Sequence, residues 1–391
     1  MVSDRKLFTL VATLIGISIV LIYSLSSYTT LLFGVNEFHF AARQSIFGFV
    51  AIVLMWSIAQ LNPDKWLAPL GFTLFIISAL LMIGMPFFPE SFVPAVGGAK
   101  RWIKLFGFSL APVEFFKIGF IYFLAWSFSR KLGDHNDMGL LKEVKRFTPY
   151  ALVFASAVFL IAFVQKDLGQ VVVLGLTLLA LLLFAGSSFR FFFSILGIIL
   201  IAFALLIFFW SHRMQRILSW WSSVQDVVLS VFPAFIADKF RIPVDVIPYQ
   251  IGHSLNAINN GGLIGTGLAN GTFKLGFLSE VHTDFVLAGL AEEFGFLGVF
   301  VVVVIFLAMI QRIFKIANRA ADKSIYLFSL GIGLLLSFTF LLNAYGISGI
   351  TPIKGISVPF LSYGGSAIMA ASIGVGMVLM ASKKAKMENE I

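Results

Sequence analysis

Stretches of about twenty apolar residues recur along nearly the whole chain, and nothing else in the sequence constrains the fold so strongly. A helix of that length matches the hydrocarbon core of a bilayer, about 30 Å thick. The stretches lie near 7–27, 46–61, 67–87, 112–129, 148–165, 170–187, 191–210, 285–311, 325–347 and 363–382. The second is the least distinct, and the sixth and seventh are parted only at Gly186-Ser187-Ser188. The expectation is an all-α integral membrane protein of about ten transmembrane helices, forming one polytopic domain over residues 1–391. Composition agrees: 59% of residues are hydrophobic and 12% charged, where a soluble domain carries about 25% charged residues. A chain of 391 residues cannot hide that much apolar surface from water. Leu7 to Leu25 is long enough to span, and no clean cleavage pattern follows, so it is read as a retained first helix.

Ten spans place both termini on one side. With that side in the cytoplasm, the inner loops collect Arg5, Lys6, Lys65, Arg130, Lys131, Lys142, Lys145, Arg146, Arg190, Arg312, Lys315, Arg319, Lys323, Lys383, Lys384 and Lys386. The short outer loops hold only Arg43, Lys100, Arg101, Lys104, Lys166 and Lys354. This asymmetry predicts N-in, C-in. It also accounts for the net charge of +9 without nucleic acid. The one long loop, about 211–284 between the seventh and eighth spans, then lies outside. It opens on an amphipathic stretch, His212 to Trp221, suited to the outer interface. Its glycine-rich run, Asn259 to Gly267, is no phosphate loop, since no Gly-Lys-Ser/Thr follows and no strand precedes it. A tight, close-packed turn is the simpler reading. The absence of cysteine excludes disulfides, thiolate chemistry and Fe–S clusters.

Charged residues at membrane depth are costly and mark candidate sites. At the outer mouth of the eighth span stands Ser279-Glu280-Val281-His282-Thr283-Asp284. Thr283 or Asp284 could simply cap the helix. A partly desolvated carboxylate there is equally suited to act as a general base. Glu280 and His282 together are a weak metal signal. Glu114 and Lys117 share a helix face, either as a buried ion pair or with Lys117 turned to an anion. Lys100, Arg101, Trp102 and Lys104 could grip a phosphate and a headgroup, or merely anchor the interface. Glu292 and Glu293, inside the eighth span, need partners that local pattern does not name, and a structural polar network is the default. The outer side thus suits a lipid-borne, anionic substrate. Residue chemistry does not choose between moving such a substrate and reacting it.

Several segments in order resemble the FtsW/RodA/SpoVE family of peptidoglycan polymerases. They are Lys274 to Phe285 with Ala291-Glu292-Glu293-Phe294-Gly295; Tyr249-Gln250, Ser254-Leu255 and Gly261 to Leu268; and Thr351 to Gly355 with Pro359 to Ser366. Ser279 stands where the family has Pro, and Ala111 to Glu114 and Lys166 to Gly169 vary its Gln-Pro-Ser-Glu and Pro-Asp-Leu-Gly motifs. Tyr23 to Ser27 and Phe40 to Gln44 look closer to the division-type, FtsW-like branch than to a RodA-like elongation polymerase. The resemblance implies a peptidoglycan glycosyltransferase polymerising lipid II at the outer face of the cytoplasmic membrane, at the division septum, with release of undecaprenyl diphosphate. It implies Asp284 as catalytic base. Substrate contacts would come from Lys117, Glu114, Lys100, Arg101, Trp102, His282, Thr283, Gln250, Ser254, Lys354, Ser362 and Tyr363. A divalent cation, Mg or Mn, could assist, although the sequence shows no clear site. Implied partners are lipid II, a class B penicillin-binding protein, other division membrane proteins and membrane lipids, with no nucleic acid. The alternatives are a lipid II flippase and a scaffold that recruits the transpeptidase.

Overall fold

The computed structural model describes residues 3–96, 98–105, 108–131, 140–242, 249–278, 280–352 and 355–385. The helices are α1 (Arg5–Leu25), α2 (Ser27–Leu32), α3 (His39–Gln60), α4 (Pro63–Gly84), α5 (Pro112–Lys131), α6 (Leu140–Phe159), α7 (Leu168–Phe184), α8 (Phe189–Phe208), α9 (Ser211–Leu229), α10 (Ala234–Phe240), α11 (Tyr249–Gly261), α12 (Val286–Asn318), α13 (Lys323–Ile347) and α14 (Gly365–Ala381). Each of the ten expected stretches falls on one long helix. The second proves longer than its hydropathy suggested, starting at His39.

Eight helical segments are long and apolar enough to cross a membrane: those at α1, α3, α4, α6, α8, α12, α13 and α14. The exceptions among the ten are informative. α7 is shorter, at 17 residues, and α5 carries Glu114, Lys117 and Arg130 along its length.

Polar side chains set several helix starts. Asp4 accepts the amide of Leu7 for α1, Asn62 that of Asp64 for α4, Asp167 that of Gln170 for α7, Ser188 that of Phe191 for α8, and Asp322 those of Ser324 and Ile325 for α13. Each pairs a donor that a helix end otherwise leaves open, which matters most where no water can supply a partner.

α13 and α14 form the centre, with 67% and 78% of their apolar windows buried, whereas α8 has 6% and sits at the rim. α14 packs on α3, α4 on α5, α12 on α13, and α13 also on α5 and α7. Small residues permit the closest approach, since apolar attraction alone does not favour helix pairing in lipid. A Cβ on Gly119 of α5 would lie 2.2 Å from the Phe75 amide nitrogen of α4. The 95–110 segment departs from the all-α expectation with two short antiparallel pairs, β1 (Ala95–Val96) with β2 (Ala99–Lys100) and β3 (Ile103–Leu105) with β4 (Phe108–Leu110). More than half of the described residues of the 211–284 segment lie in α9, α10 and α11.

Candidate active site

Asp284 does not cap α12. The helix begins at Val286, its N-cap residue is Phe285, and no side chain caps it. Asp284 instead ends a turn in which the Glu280 carbonyl accepts the amides of Thr283 (3.1 Å), Asp284 (3.0 Å) and Phe285 (3.4 Å). That geometry requires Glu280 at φ +59, a left-handed conformation uncommon for a residue with a side chain. The Thr283 hydroxyl donates to Glu280 Oε2 at 3.0 Å, closing the turn.

The turn is fixed from behind. Asn343 of α13 donates its amide to the carbonyls of Asp284 and Ile356, both at 2.6 Å. Ser362 donates its hydroxyl to the Thr283 carbonyl at 2.5 Å and accepts from the Val358 amide at 2.8 Å. The 355–364 loop therefore roofs the turn. Gly355, at φ +62, faces the carboxylate; a Cβ there would lie 3.1 Å from Asp284 Oδ2. Among the described residues no donor lies within hydrogen-bond distance of the Asp284 carboxylate, and the residue keeps partial access to solvent. Burial, then the charges of Glu280 and Asp167, push its pKa up to about 7 against the pull of Arg101.

Asp167 and Arg101 make up a neighbouring wall, close enough for their charges to act on the Asp284 carboxyl. The Arg101 guanidinium donates to the carbonyls of Gln165 and Lys166, each at 2.8 Å, and so holds the turn that delivers Asp167. Burial raises the Asp167 carboxyl above its ordinary range, opposed first by Arg101. Beside this wall, Lys117 pairs with Glu114 at 2.8 Å and donates to Gln170 Oε1 at 2.7 Å, while Gln170 Nε2 donates to Glu114 Oε1 at 3.1 Å. Lys117 is buried and lines a cavity of about 30 Å³ with Glu114, Thr339, Ser357 and Pro359. That volume holds one or two water molecules.

The glycine-rich run explains how the Asp284 turn meets the bundle. α12 breaks at Gly295 (φ 65, ψ −166). The carbonyls of Glu292 and Glu293 accept the amides of Thr266 and Gly267, both at 2.9 Å; the amides of Phe296 and Leu297 donate to Gly262 (2.9 Å) and Leu263 (3.1 Å). The run thus stitches the break, as buried backbone requires. Gly265 is obligatory here: a Cβ would lie 2.2 Å from the Glu293 carbonyl oxygen. The partners of the two glutamates also appear. Glu292 accepts from the amides of Thr272 and Phe273 and from Asn260. Glu293 pairs with Lys274 at 2.6 Å and accepts from the Ser24 hydroxyl at 2.5 Å.

The remaining expected site residues are scattered in role. Lys100 reaches the carbonyls of Pro86 and Phe88 at 3.2 and 3.3 Å. Trp102 is half-buried between β2 and β3, and Gln250 is exposed on α11. Ser254 is fully buried and gives its hydroxyl to the Ile347 carbonyl, a joint between α11 and α13. His282 is buried against Phe40 and Tyr363; burial lowers its pKa, partly opposed by Glu280. Lys354 lies outside the described residues. Among the described residues no three His, Asp or Glu side chains converge as metal ligands. Local pattern missed Asp167, Gln170 and Asn343 as site residues. The available signal was that polar side chains in or beside apolar runs need partners.

Residues 5–387 match the FtsW/RodA/SpoVE family, described as cell cycle protein. The chain is 46% identical to the probable peptidoglycan glycosyltransferase FtsW of Helicobacter pylori strain 26695, covering 99% of this chain and all of the relative. It is 32% identical to that of Geobacter sp. strain M18, over 97% of each. Among solved structures, a peptidoglycan synthase complex that coordinates polymerization and crosslinking superposes with TM-score 0.72 at 22% identity, over 99% of each chain. RodA of Thermus thermophilus superposes with TM-score 0.64 at 22% identity, over 99% of this chain and 98% of that one. The chain belongs to the FtsW/RodA/SpoVE family of cell cycle proteins.

Proposed function

We propose that the chain is a peptidoglycan glycosyltransferase of cell division that polymerises lipid II, with Asp284 as general base. The observation that carries the role of Asp284 is its state: a partly accessible carboxyl with no hydrogen-bond donor on it among the described residues, its backbone held by Asn343, and its pKa pushed up to about 7. A general base is most effective when its pKa lies near the working pH.

In this reading Asp284 takes the proton from the acceptor GlcNAc 4-hydroxyl as its oxygen attacks the donor MurNAc anomeric carbon. The C1–O bond to the diphosphate breaks with inversion, and the electron pair leaves on undecaprenyl diphosphate. Arg101 supplies positive charge for that leaving group, and Lys117, buried and paired with Glu114, adds to it at longer range. The Gln165 and Lys166 carbonyls orient Arg101, and Glu114 and Gln170 orient Lys117. No step is assigned to a metal. In this reading the chain crosses the cytoplasmic membrane about ten times, α5 and α7 adding to the eight helices of membrane length, with both termini inside and Asp284 at the outer face. A class B penicillin-binding protein is its partner, and the septum its place of work.

Purified protein incubated with lipid II, with and without the transpeptidase, tests this. Glycan strands from wild type and about 10²–10⁴-fold slower synthesis by Asp284→Asn are expected. Lipid II translocation in vesicles without polymer would contradict it.

A further inference from the structure

Phe40, His282 and Tyr363 come from three distant parts of the chain and meet as one ring cluster. Centroids lie 5.1 Å apart for Phe40–His282, 5.2 Å for Phe40–Tyr363 and 5.7 Å for His282–Tyr363. Phe40 and Tyr363 meet edge to face, at 77°. The cluster is registered to the Asp284 turn by hydrogen bonds. The Tyr363 amide donates to the His282 carbonyl at 2.8 Å, and Ser362 binds the carbonyl of Thr283, the residue before Asp284. Gln44, one turn beyond Phe40 on α3, donates to the Ser362 carbonyl at 3.2 Å and to the Ser18 hydroxyl at 2.7 Å. Its carbonyl oxygen faces the Gly364 amide at 3.5 Å.

Exposure is unequal within the cluster. His282 is buried, while Phe40 and Tyr363 remain only half-buried. His282 Nδ1 is buried yet has no hydrogen-bond partner among the described residues. An aromatic-belt residue meets the interface as a single ring with a wet tip. Here two ring surfaces, Phe40 at the start of α3 and Tyr363 on the loop that roofs the carboxylate, are instead braced on a buried imidazole. A pyranose has one face of C–H bonds that packs on an aromatic ring and an edge of hydroxyls that needs polar partners. Rigid aromatic side chains offer such contact area at low entropic cost.

We infer that Phe40 and Tyr363, backed by His282, form a stacking shelf for the acceptor pyranose whose hydroxyl is presented to Asp284. This rests on the general-base reading above. The shelf fixes the plane of the sugar, and the Asp284 turn, tied to it through Ser362 and Tyr363, meets the hydroxyl at the ring's edge.

The test is a series of initial rates against lipid II concentration for wild type, Phe40→Leu and Phe40→Tyr. Leucine keeps an apolar side chain but removes the ring face; tyrosine restores it. The shelf predicts that Phe40→Leu raises the half-saturating lipid II concentration about tenfold, with maximal rate and Tm nearly unchanged, and that Phe40→Tyr recovers wild-type behaviour. Soluble GlcNAc–MurNAc disaccharide is the second probe. Its binding to wild type, read by saturation-transfer NMR, is expected to weaken about tenfold in Phe40→Leu. Unchanged half-saturation and unchanged disaccharide binding in Phe40→Leu would overturn the shelf, as would a fall in maximal rate and Tm alone. Failure of the wild type to make glycan would sink the general-base reading instead, and the disaccharide arm would still decide the shelf.

Discussion

Asn343 holds Asp284 by its backbone and leaves its carboxylate untouched. One side-chain amide, buried in α13, donates at 2.6 Å to the carbonyl of Asp284 and at 2.6 Å to that of Ile356. The Asp284 turn and the roofing loop are thereby fixed to one helix, with Gly355 left facing the carboxylate. Among the described residues, position is set without a donor that would pin the acid in its charged form.

Replacing Asn343 with Ala removes both donors and leaves two carbonyls to find new partners. The loss is expected to cost about 1–3 kcal/mol in stability. Turnover should fall further, on the order of 10²-fold, because small misplacements of a reacting group are expensive. Thermal melting and initial rates on the same preparation separate the two effects.

Gly355→Ala tests the space beside the carboxylate. The residue is at φ +62, and the added methyl would press on Asp284 Oδ2. Backbone strain of about 1–2 kcal/mol is expected. Glycan synthesis should drop well beyond what that strain explains, while membrane insertion is retained.

The pH dependence has a definite sign. A general base works ionised, so the rate should rise with pH and level off above about 7, the value to which burial lifts Asp284. Stability runs the other way. The folded-state pKa lies above the unfolded one, so ionising Asp284 penalises the fold. The penalty is absent below the unfolded pKa, near 4, and grows until the pH passes about 7. Asp284→Asn should therefore melt above wild type at pH 8, with the gap closing toward pH 4.

Glu293→Gln leaves Lys274 charged and buried beside a neutral amide. Breaking one side of such a pair costs about 3–5 kcal/mol, whereas replacing both residues by apolar ones costs much less. The double variant Lys274→Met, Glu293→Leu should thus be more stable than Glu293→Gln alone, measured by thermal unfolding in one detergent.

Much of this was legible in the chain itself, for identifiable reasons. Apolar length marked the helices, because a bilayer demands about twenty residues whatever their order. Motif order marked Asp284. The contacts between distant segments were not legible. Arg101 binds carbonyls 64 and 65 residues away, and Gln170 joins the Glu114–Lys117 pair from 53 residues beyond Lys117. The broken α12 was hidden as well. Gly295 and the run from Gly262 to Gly267 read as separate glycines until their amides and carbonyls met. Capping of α12 by Thr283 or Asp284 was a sound local reading. It fails because the turn closes on the Glu280 carbonyl before the helix starts.

The most direct test is glycan synthesis from lipid II by purified Asp284→Asn, in complex with the transpeptidase and beside wild type. The variant should fold and bind its partner as wild type does, yet polymerise about 10²–10⁴-fold more slowly. Wild-type polymerisation by the variant would contradict the assignment of Asp284 as the base.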